Sequence, residues 1–221
     1  MEFSKYIDET NLNPTATLKD IKLLCDNAKK YNFKCVCVHP CNISVARKFL
    51  DDSEVKVCTV IGFPLGQNTT NIKVLEAKEA IELGAEEIDM VINIGRLKDM
   101  DYEYIKNEIS EIRNITKNLI LKVIIETCYL SMEEIKLMTE ICSELKVNYI
   151  KTSTGFGERG ASIEDIDIMN NFKSDNLKIK ASGGIRSYKE ALDMINHGAS
   201  RIGTSKGVKI MEERMTSNET I

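Results

Sequence analysis

Residues 70–93 read TNIKVLEAKEAIELGAEEIDMVIN. Residues 70–83 carry a helical pattern, Gly84 follows it where a left-handed cap is needed, and a short apolar run fills 87–93. Successive strand residues face opposite sides. Placing Ile88, Met90 and Ile92 against helices turns Asp89, Val91 and Asn93 the other way. The stretch is thus a helix, a tight return and a strand with an acid on its far face.

The same module recurs along the chain. Strands are predicted at Tyr6–Asp8, Lys34–His39, Lys56–Gly62, Glu87–Asn93, Leu119–Glu126, Tyr149–Ser153, Lys178–Ser182 and Arg201–Gly203. Helical patterns lie at 17–30, 42–51, 70–83, 101–117, 132–145, 163–171, 188–197 and 206–214. Ser131 with Glu134 and Ser187 with Glu190 mark helix starts, because each pair can satisfy the free backbone amides of a first turn. Gly84 and Gly198 mark helix ends. Eight β-then-α units with short connections predict an α/β fold, a single (β/α)₈ TIM barrel formed by residues 1–221 as one domain. The competing architecture is a doubly wound open sheet, whose dinucleotide fingerprint is missing.

Composition narrows the function. The chain has 221 residues, 43% of them hydrophobic, and a formal net charge of −4. Its 30 Lys and Arg are scattered among 34 Asp and Glu, which argues against nucleic acid as a partner. The start lacks a signal-peptide pattern and no apolar run approaches a membrane span, so a soluble, cytoplasmic protein with no membrane contact is expected. Seven cysteines, an odd number lying mostly within predicted elements, fit reduced thiols. Cys35, Cys37 and Cys41 lack the second cluster that a closed zinc site requires. Cys37 reads as a small core residue. With His39 and His197 as the only histidines, an imidazole-rich metal site is hard to build, and neither metal nor cofactor is expected.

Two lysines stand out against this background. Lys151 in YIKTSTGFG and Lys180 in LKIKASGGIR each end an apolar run just before glycine-rich turns. Strand parity turns both toward the same interior as Asp89. An isolated charge there is costly to desolvate, and three ionisable groups from separate strands read more naturally as a tuned site than as a structural ion-pair network. A lysine near a second cation loses basicity, and a neutral lysine attacks carbonyls. Bringing its pKa from about 10 to roughly 7–8 asks about 4 kcal/mol of burial and repulsion. Lys122 has the same parity but lies earlier in its strand, and it is expected either to hold the structure or to support the site residues from behind.

The turns Ser182-Gly183-Gly184-Ile185-Arg186 and Gly203-Thr204-Ser205 each lead into a helix after strands seven and eight. Glycine allows close approach of an anion, the helix N-termini that follow are expected to offer free amides to it, and these loops occupy the usual phosphate position of the fold. Gly155-Phe156-Gly157 lacks the Lys-Ser ending of a Walker motif and reads as a flexible rim beside Lys151.

Taken in order, YIDETNLNPTAT, VCVHPCNISVARKFL, VCTVIGFPLG, AKEAIELGAEEIDMVINIGRL, LKVIIET, YIKTSTGFG, IKASGGIR and GASRIGTS make the whole chain resemble the deoxyribose-phosphate aldolases. These are class I aldolases that cleave 2-deoxy-D-ribose 5-phosphate reversibly to D-glyceraldehyde 3-phosphate and acetaldehyde. The resemblance implies that Lys151 forms the Schiff base, Lys180 lowers its pKa, and Asp89 serves proton transfer with a bound water. It further assigns the phosphate to Gly155, Gly183, Gly184, Gly203 and Ser205, and the sugar hydroxyls to Asp8 and Thr10. A homodimer or larger homo-oligomer is implied as well.

The chain departs from that pattern in places. Glu9 stands where many relatives carry histidine, and is expected to point away from the lumen. Phe156 stands where some carry a phosphate-holding lysine, and the terminal SNETI lacks the tyrosine found in some tails. These put phosphate affinity and part of the proton transfer in question. Two rival functions share the features: a non-catalytic sugar-phosphate sensor, and another metal-free phosphosugar aldolase, transaldolase or isomerase.

Overall fold

The computed structural model describes residues 2–217, in which eight parallel strands close into a barrel in sequential order, β1 to β8. The strands are β1 (Ile7–Asn11), β2 (Cys35–Val38), β3 (Lys56–Ile61), β4 (Glu87–Val91), β5 (Ile120–Ile124), β6 (Tyr149–Lys151), β7 (Lys178–Ser182) and β8 (Ala199–Thr204). Helices α1 (Leu18–Lys30), α2 (Ile43–Phe49), α3 (Thr70–Glu82), α4 (Ile94–Lys98), α5 (Tyr102–Ile115), α6 (Met132–Glu144), α7 (Ile163–Phe172), α8 (Tyr188–Asn196) and α9 (Gly207–Thr216) surround it. This is the (β/α)₈ barrel that the strand and helix periods predict. No helix among the described residues is long and apolar enough to cross a membrane.

Local chemistry sets the boundaries. Ser131 and Ser187 each form the reciprocal capping box with Glu134 and Glu190, and Thr17 forms a third with Asp20. Gly84 and Gly198 take φ of 102° and 116°, closing α3 and α8 as left-handed caps. Five strands stop short of their predicted ends, β3 by the single residue Gly62. Asn93 leaves β4 because its side chain accepts from Arg96 N and starts α4, a helix absent from the sequence prediction. Glu126 leaves β5 with φ 51°, a left-handed turn that aims its carboxylate at Thr154. β6 ends at Lys151 rather than Ser153, and β2 ends at Val38 rather than His39. At the other extreme, β1 runs on to Asn11 and β8 spans 199–204, each longer than predicted.

Two apolar layers follow from strand parity. Ile88, Met90, Ile92, Ile150 and Ile179 join the large core between barrel and helices, as predicted. Inside the barrel, Leu12, Cys35, Cys37, Cys58 and Val60 form a second, small cluster on the β1 to β3 side. The rest of the lumen carries the charged side chains of Asp8, Glu87, Asp89, Lys122, Lys151, Lys180 and Arg201.

Glu9 faces outward under α9, as expected, and its Oε2 accepts from Gly207 N at 2.9 Å. Burial outweighs that bond and pushes its carboxyl up from 4.5 to about 7. A raised carboxyl pKa favours the folded state below the unfolded value, and that contribution is lost as pH rises through the folded one. Wild-type stability should therefore fall between pH 4.5 and about 7 on this account, by about 3 kcal/mol. Glu9→Gln should remove that slope and be the more stable protein above pH 8, as urea unfolding across the range will show.

Candidate active site

The carboxylate of Asp89 is the centre of the charged part of the lumen. It enters from the middle of β4, where the β-branched and apolar neighbours Ile88 and Met90 face the helices. The parallel register puts Lys122 beside it and aligns Lys151 with Lys180, and Lys180 with Arg201. Asp89 Oδ2 lies 2.7 Å from Lys151 Nζ and 2.9 Å from Lys180 Nζ, while Oδ1 lies 2.8 Å from Lys122 Nζ. The three residues predicted from separate strands therefore meet at a single oxygen.

A lower layer locks this arrangement. Lys180 Nζ also reaches Asp8 Oδ2 at 2.6 Å, and Lys122 Nζ reaches Glu87 Oε2 at 2.6 Å. Arg201 closes the layer, 2.6 Å from Asp8 Oδ1 and 3.2 Å from Glu87 Oε2. Gly203 is needed for packing as well as for the loop, since a Cβ there would meet Lys180 Cε at 3.0 Å.

The electrostatics follow from competition between burial and pairing. Burial pushes the Asp89 carboxyl up, but Lys122, Lys151 and Lys180 together overcome it and hold the group well below the usual carboxylate range. Asp8 is likewise held low, by Arg201 and Lys180 against burial. For Lys180, burial favours the neutral amine, yet Asp8 and Asp89 win and raise it well above the usual lysine value. Lys180 is a permanent cation at neutral pH. Lys122 is raised in the same way by Asp89, Cys58 and Glu87.

The three lysines are not equivalent. Lys122 and Lys180 are fully buried, and each touches two carboxylates. Lys151 touches Asp89 alone and is 3% exposed, opening onto a cleft of about 550 Å³ at the C-terminal mouth of the barrel. It is the least paired of the three and the one that a substrate can reach.

Asp89→Asn would leave three ammonium groups around a neutral amide. Removing one partner from a buried charge cluster costs about 3–5 kcal/mol. Denaturant unfolding should show that loss, together with collapse of activity.

Gly155, Gly183, Gly184, Gly203, Ser205 and Thr10 all line the cleft. Asp8 does not. Its oxygens are drawn into the Lys180 and Arg201 pairs below the cleft floor, and only its backbone, accepting from Thr10 Oγ1 at 3.0 Å, communicates with the wall.

The helix starts behind the glycine loops differ from expectation. Glu190 accepts from Arg186 N and Ser187 N at the start of α8, and Glu9 takes Gly207 N at the start of α9. The amides open to an anion are those of the preceding loops: the N–H groups of Gly183, Gly184 and Ser205 have no backbone acceptor among the described residues. Gly183 and Gly184 adopt φ of 84° and 80°, which favour glycine and present those amides together.

Phe156 is half exposed on the rim and meets Phe63 edge to face at 5.4 Å. Cys41 is exposed, whereas Cys35 and Cys37 turn into the lumen beside Cys58, so the three thiols singled out in the sequence do not converge. The tail beyond Ser217, where the missing tyrosine would lie, is outside the described residues.

Sequence reasoning passed over Glu87, Arg201, Cys58 and Glu126. Glu87 shares the parity of Asp89, two residues earlier, and that signal was available. Cys58 lies between the two layers, its Sγ 3.2 Å from Asp89 Oδ1. Glu126 accepts from Thr154 N at 3.2 Å and so fixes the loop that follows Lys151.

Fold and cleft together define the class: a (β/α)₈ barrel enzyme whose cluster of three lumen lysines presents one of them, Lys151, to the C-terminal cleft. Comparison with known proteins gives the particular family. Residues 3–212 match the DeoC/LacD family of aldolases, and the chain belongs to that family and is a lyase. It is 53% identical over 212 residues to the deoxyribose-phosphate aldolase of Finegoldia magna, covering 96% of this chain and all of that one. Among solved structures, the aldolase QR15 superposes with a TM-score of 0.93 at 42% identity, over 97% of this chain and 96% of the other. The tetrameric deoxyribose phosphate aldolase of Aeropyrum pernix gives 0.90 at 31%, over 97% and 91%.

Proposed function

We propose that this chain is a 2-deoxy-D-ribose 5-phosphate aldolase in which Lys151 is the Schiff-base lysine. The observation that carries the assignment is the asymmetry of the lysine cluster, in which Lys151 alone opens onto the cleft and has a single carboxylate partner. Of the three amines, Lys151 has the fewest carboxylate partners.

Neutral Lys151 attacks the aldehyde carbon, and loss of water gives an iminium. Lys180 and Asp89 then hold the water that removes the proton of the hydroxyl on the third carbon. The bond between the second and third carbons breaks, its electron pair passes into the iminium to give an enamine, and D-glyceraldehyde 3-phosphate leaves. Protonation of the enamine carbon and hydrolysis release acetaldehyde and regenerate the amine. Capture of Lys151 by substrate draws its nitrogen away from Asp89 Oδ2, which opens one carboxylate oxygen for that water.

The phosphate is held by the loop amides of Gly183, Gly184 and Ser205 with Gly155 and Gly203 beside them, and Thr10 meets the sugar hydroxyls. Asp8 acts through Lys180 from beneath. One domain over residues 1–221 carries the reaction. Seven free cysteines fit the reducing cytoplasm. Exposed Leu18, Leu23 and Leu65 offer apolar surface for a homodimer or larger assembly, in keeping with the tetrameric relative.

A coupled assay for glyceraldehyde 3-phosphate released from 2-deoxy-D-ribose 5-phosphate tests the assignment. Release at an enzymatic rate is expected. Binding of the phosphosugar without release would point to the sensor instead.

A further inference from the structure

The opposite, N-terminal end of the barrel holds a second cavity, of about 360 Å³, which is within the range of small-ligand sites. Lys5, Lys34, Lys173 and Lys178 line it against a single carboxylate, Asp175, and Arg201 forms part of its floor. In a chain of net charge −4 this is a local reversal of sign. Among the described residues none of the four lysines has an ion pair, although every layer of the lumen above is paired. Lys5 Nζ donates only to the neutral Asn32 side chain, and Lys178 Nζ lies 5.8 Å from the centre of the Tyr149 ring. Lys5, Lys34 and Lys173 are also half-buried. Ammonium groups gathered in a partly desolvated cavity repel one another unless an anion joins them.

The floor of this cavity is the lower layer of the active site. Arg201, only 2% exposed, donates to Tyr149 Oη at 3.4 Å from one nitrogen and to Asp8 Oδ1 at 2.6 Å from the other. Asp8 Oδ2 then holds Lys180, and Lys180 shares Asp89 Oδ2 with Lys151. An unbroken run of charged contacts thus joins the cavity at one end of the barrel to the accessible lysine at the other. An anion below attracts the guanidinium downward and loosens its hold on Asp8. Asp8 then binds Lys180 more tightly, Lys180 gives up part of its share of Asp89, and Asp89 grips the Lys151 ammonium.

We propose that the N-terminal cavity is an effector site for a compact anion carrying two or more phosphate groups, and that its occupation slows the reaction at Lys151. Lysines suit phosphate as mobile point charges, and Asn170 on the same wall adds a neutral amide. The inhibitory direction rests on the aldolase reading of the cleft, whereas the binding does not.

Titration calorimetry of the full-length protein with inorganic tripolyphosphate tests the site. Saturable binding is expected, weaker by about tenfold or more in Lys34→Ala/Lys178→Ala, whose activity without the anion should equal wild type. Saturating 2-deoxy-D-ribose 5-phosphate should not displace the anion. Tripolyphosphate should lower kcat by about fivefold at neutral pH and move the pH–rate profile alkaline in wild type but not in the double variant. No binding, equal binding to the double variant, displacement by the phosphosugar, or an unchanged kcat with the cavity filled would each overturn the proposal. If the protein lacked aldolase activity but bound the anion in the lysine-dependent way, the failure would lie with the cleft assignment and not with the cavity.

Discussion

Lys151→Met is expected to lower turnover of 2-deoxy-D-ribose 5-phosphate by on the order of 10⁴-fold or more, the scale seen when a covalent nucleophile is removed. The fold should survive. Asp89 keeps Lys122 at 2.8 Å and Lys180 at 2.9 Å, so no carboxylate is orphaned, and the methionine can follow the path of the lysine stem to the cleft. Unfolding by urea should therefore show little change while the coupled assay shows almost no product. Appreciable turnover by a correctly folded variant would remove Lys151 from the mechanism.

The second large effect is expected from Lys180→Met. This lysine is fully buried in the free protein, so a purely structural reading would have its loss affect stability and leave the pH dependence of the rate alone. The charge geometry requires otherwise. Without Lys180, Asp89 Oδ2 has Lys151 as its single partner, and the ammonium form of Lys151 gains the whole of that oxygen. Turnover at neutral pH should fall by about 10²–10⁴-fold, the range associated with positioned proton-transfer groups. Stability should fall too, because Asp8 Oδ2 loses its partner while Oδ1 keeps Arg201. A variant that lost stability but kept the wild-type pH–rate profile would make Lys180 a structural residue.

The legibility of this site in the sequence has a physical boundary. Strand alternation is a local property, so it located Asp89, Lys151 and Lys180 on one interior and placed Ile88, Met90, Ile150 and Ile179 against the helices. Helix starts and ends were legible for the same reason, since a capping box needs only residues three apart. What failed was non-local. That Arg201 would bridge Asp8 and Glu87 depends on the stagger of strands around the barrel, which no single segment encodes. The capping of α9 by Glu9 joins residues nearly the whole chain apart, and it moved the open amides from the helix start into the loop before it. Helix α4 was missed because five residues are too few to show a period. Lys122 was read as a structural or supporting residue from its depth in β5, and its two carboxylate contacts fit that reading while placing it directly on Asp89.

The central claim is that the asymmetry of the lysine cluster makes Lys151 the amine that bonds to the substrate carbon. Reduction with borohydride in the presence of acetaldehyde, followed by peptide mass mapping, tests it most directly. One ethyl group on the peptide containing Lys151, absent from the Lys151→Met protein, is the expected result. Label on Lys122 or Lys180, or no covalent label in an enzyme that turns over, would contradict it.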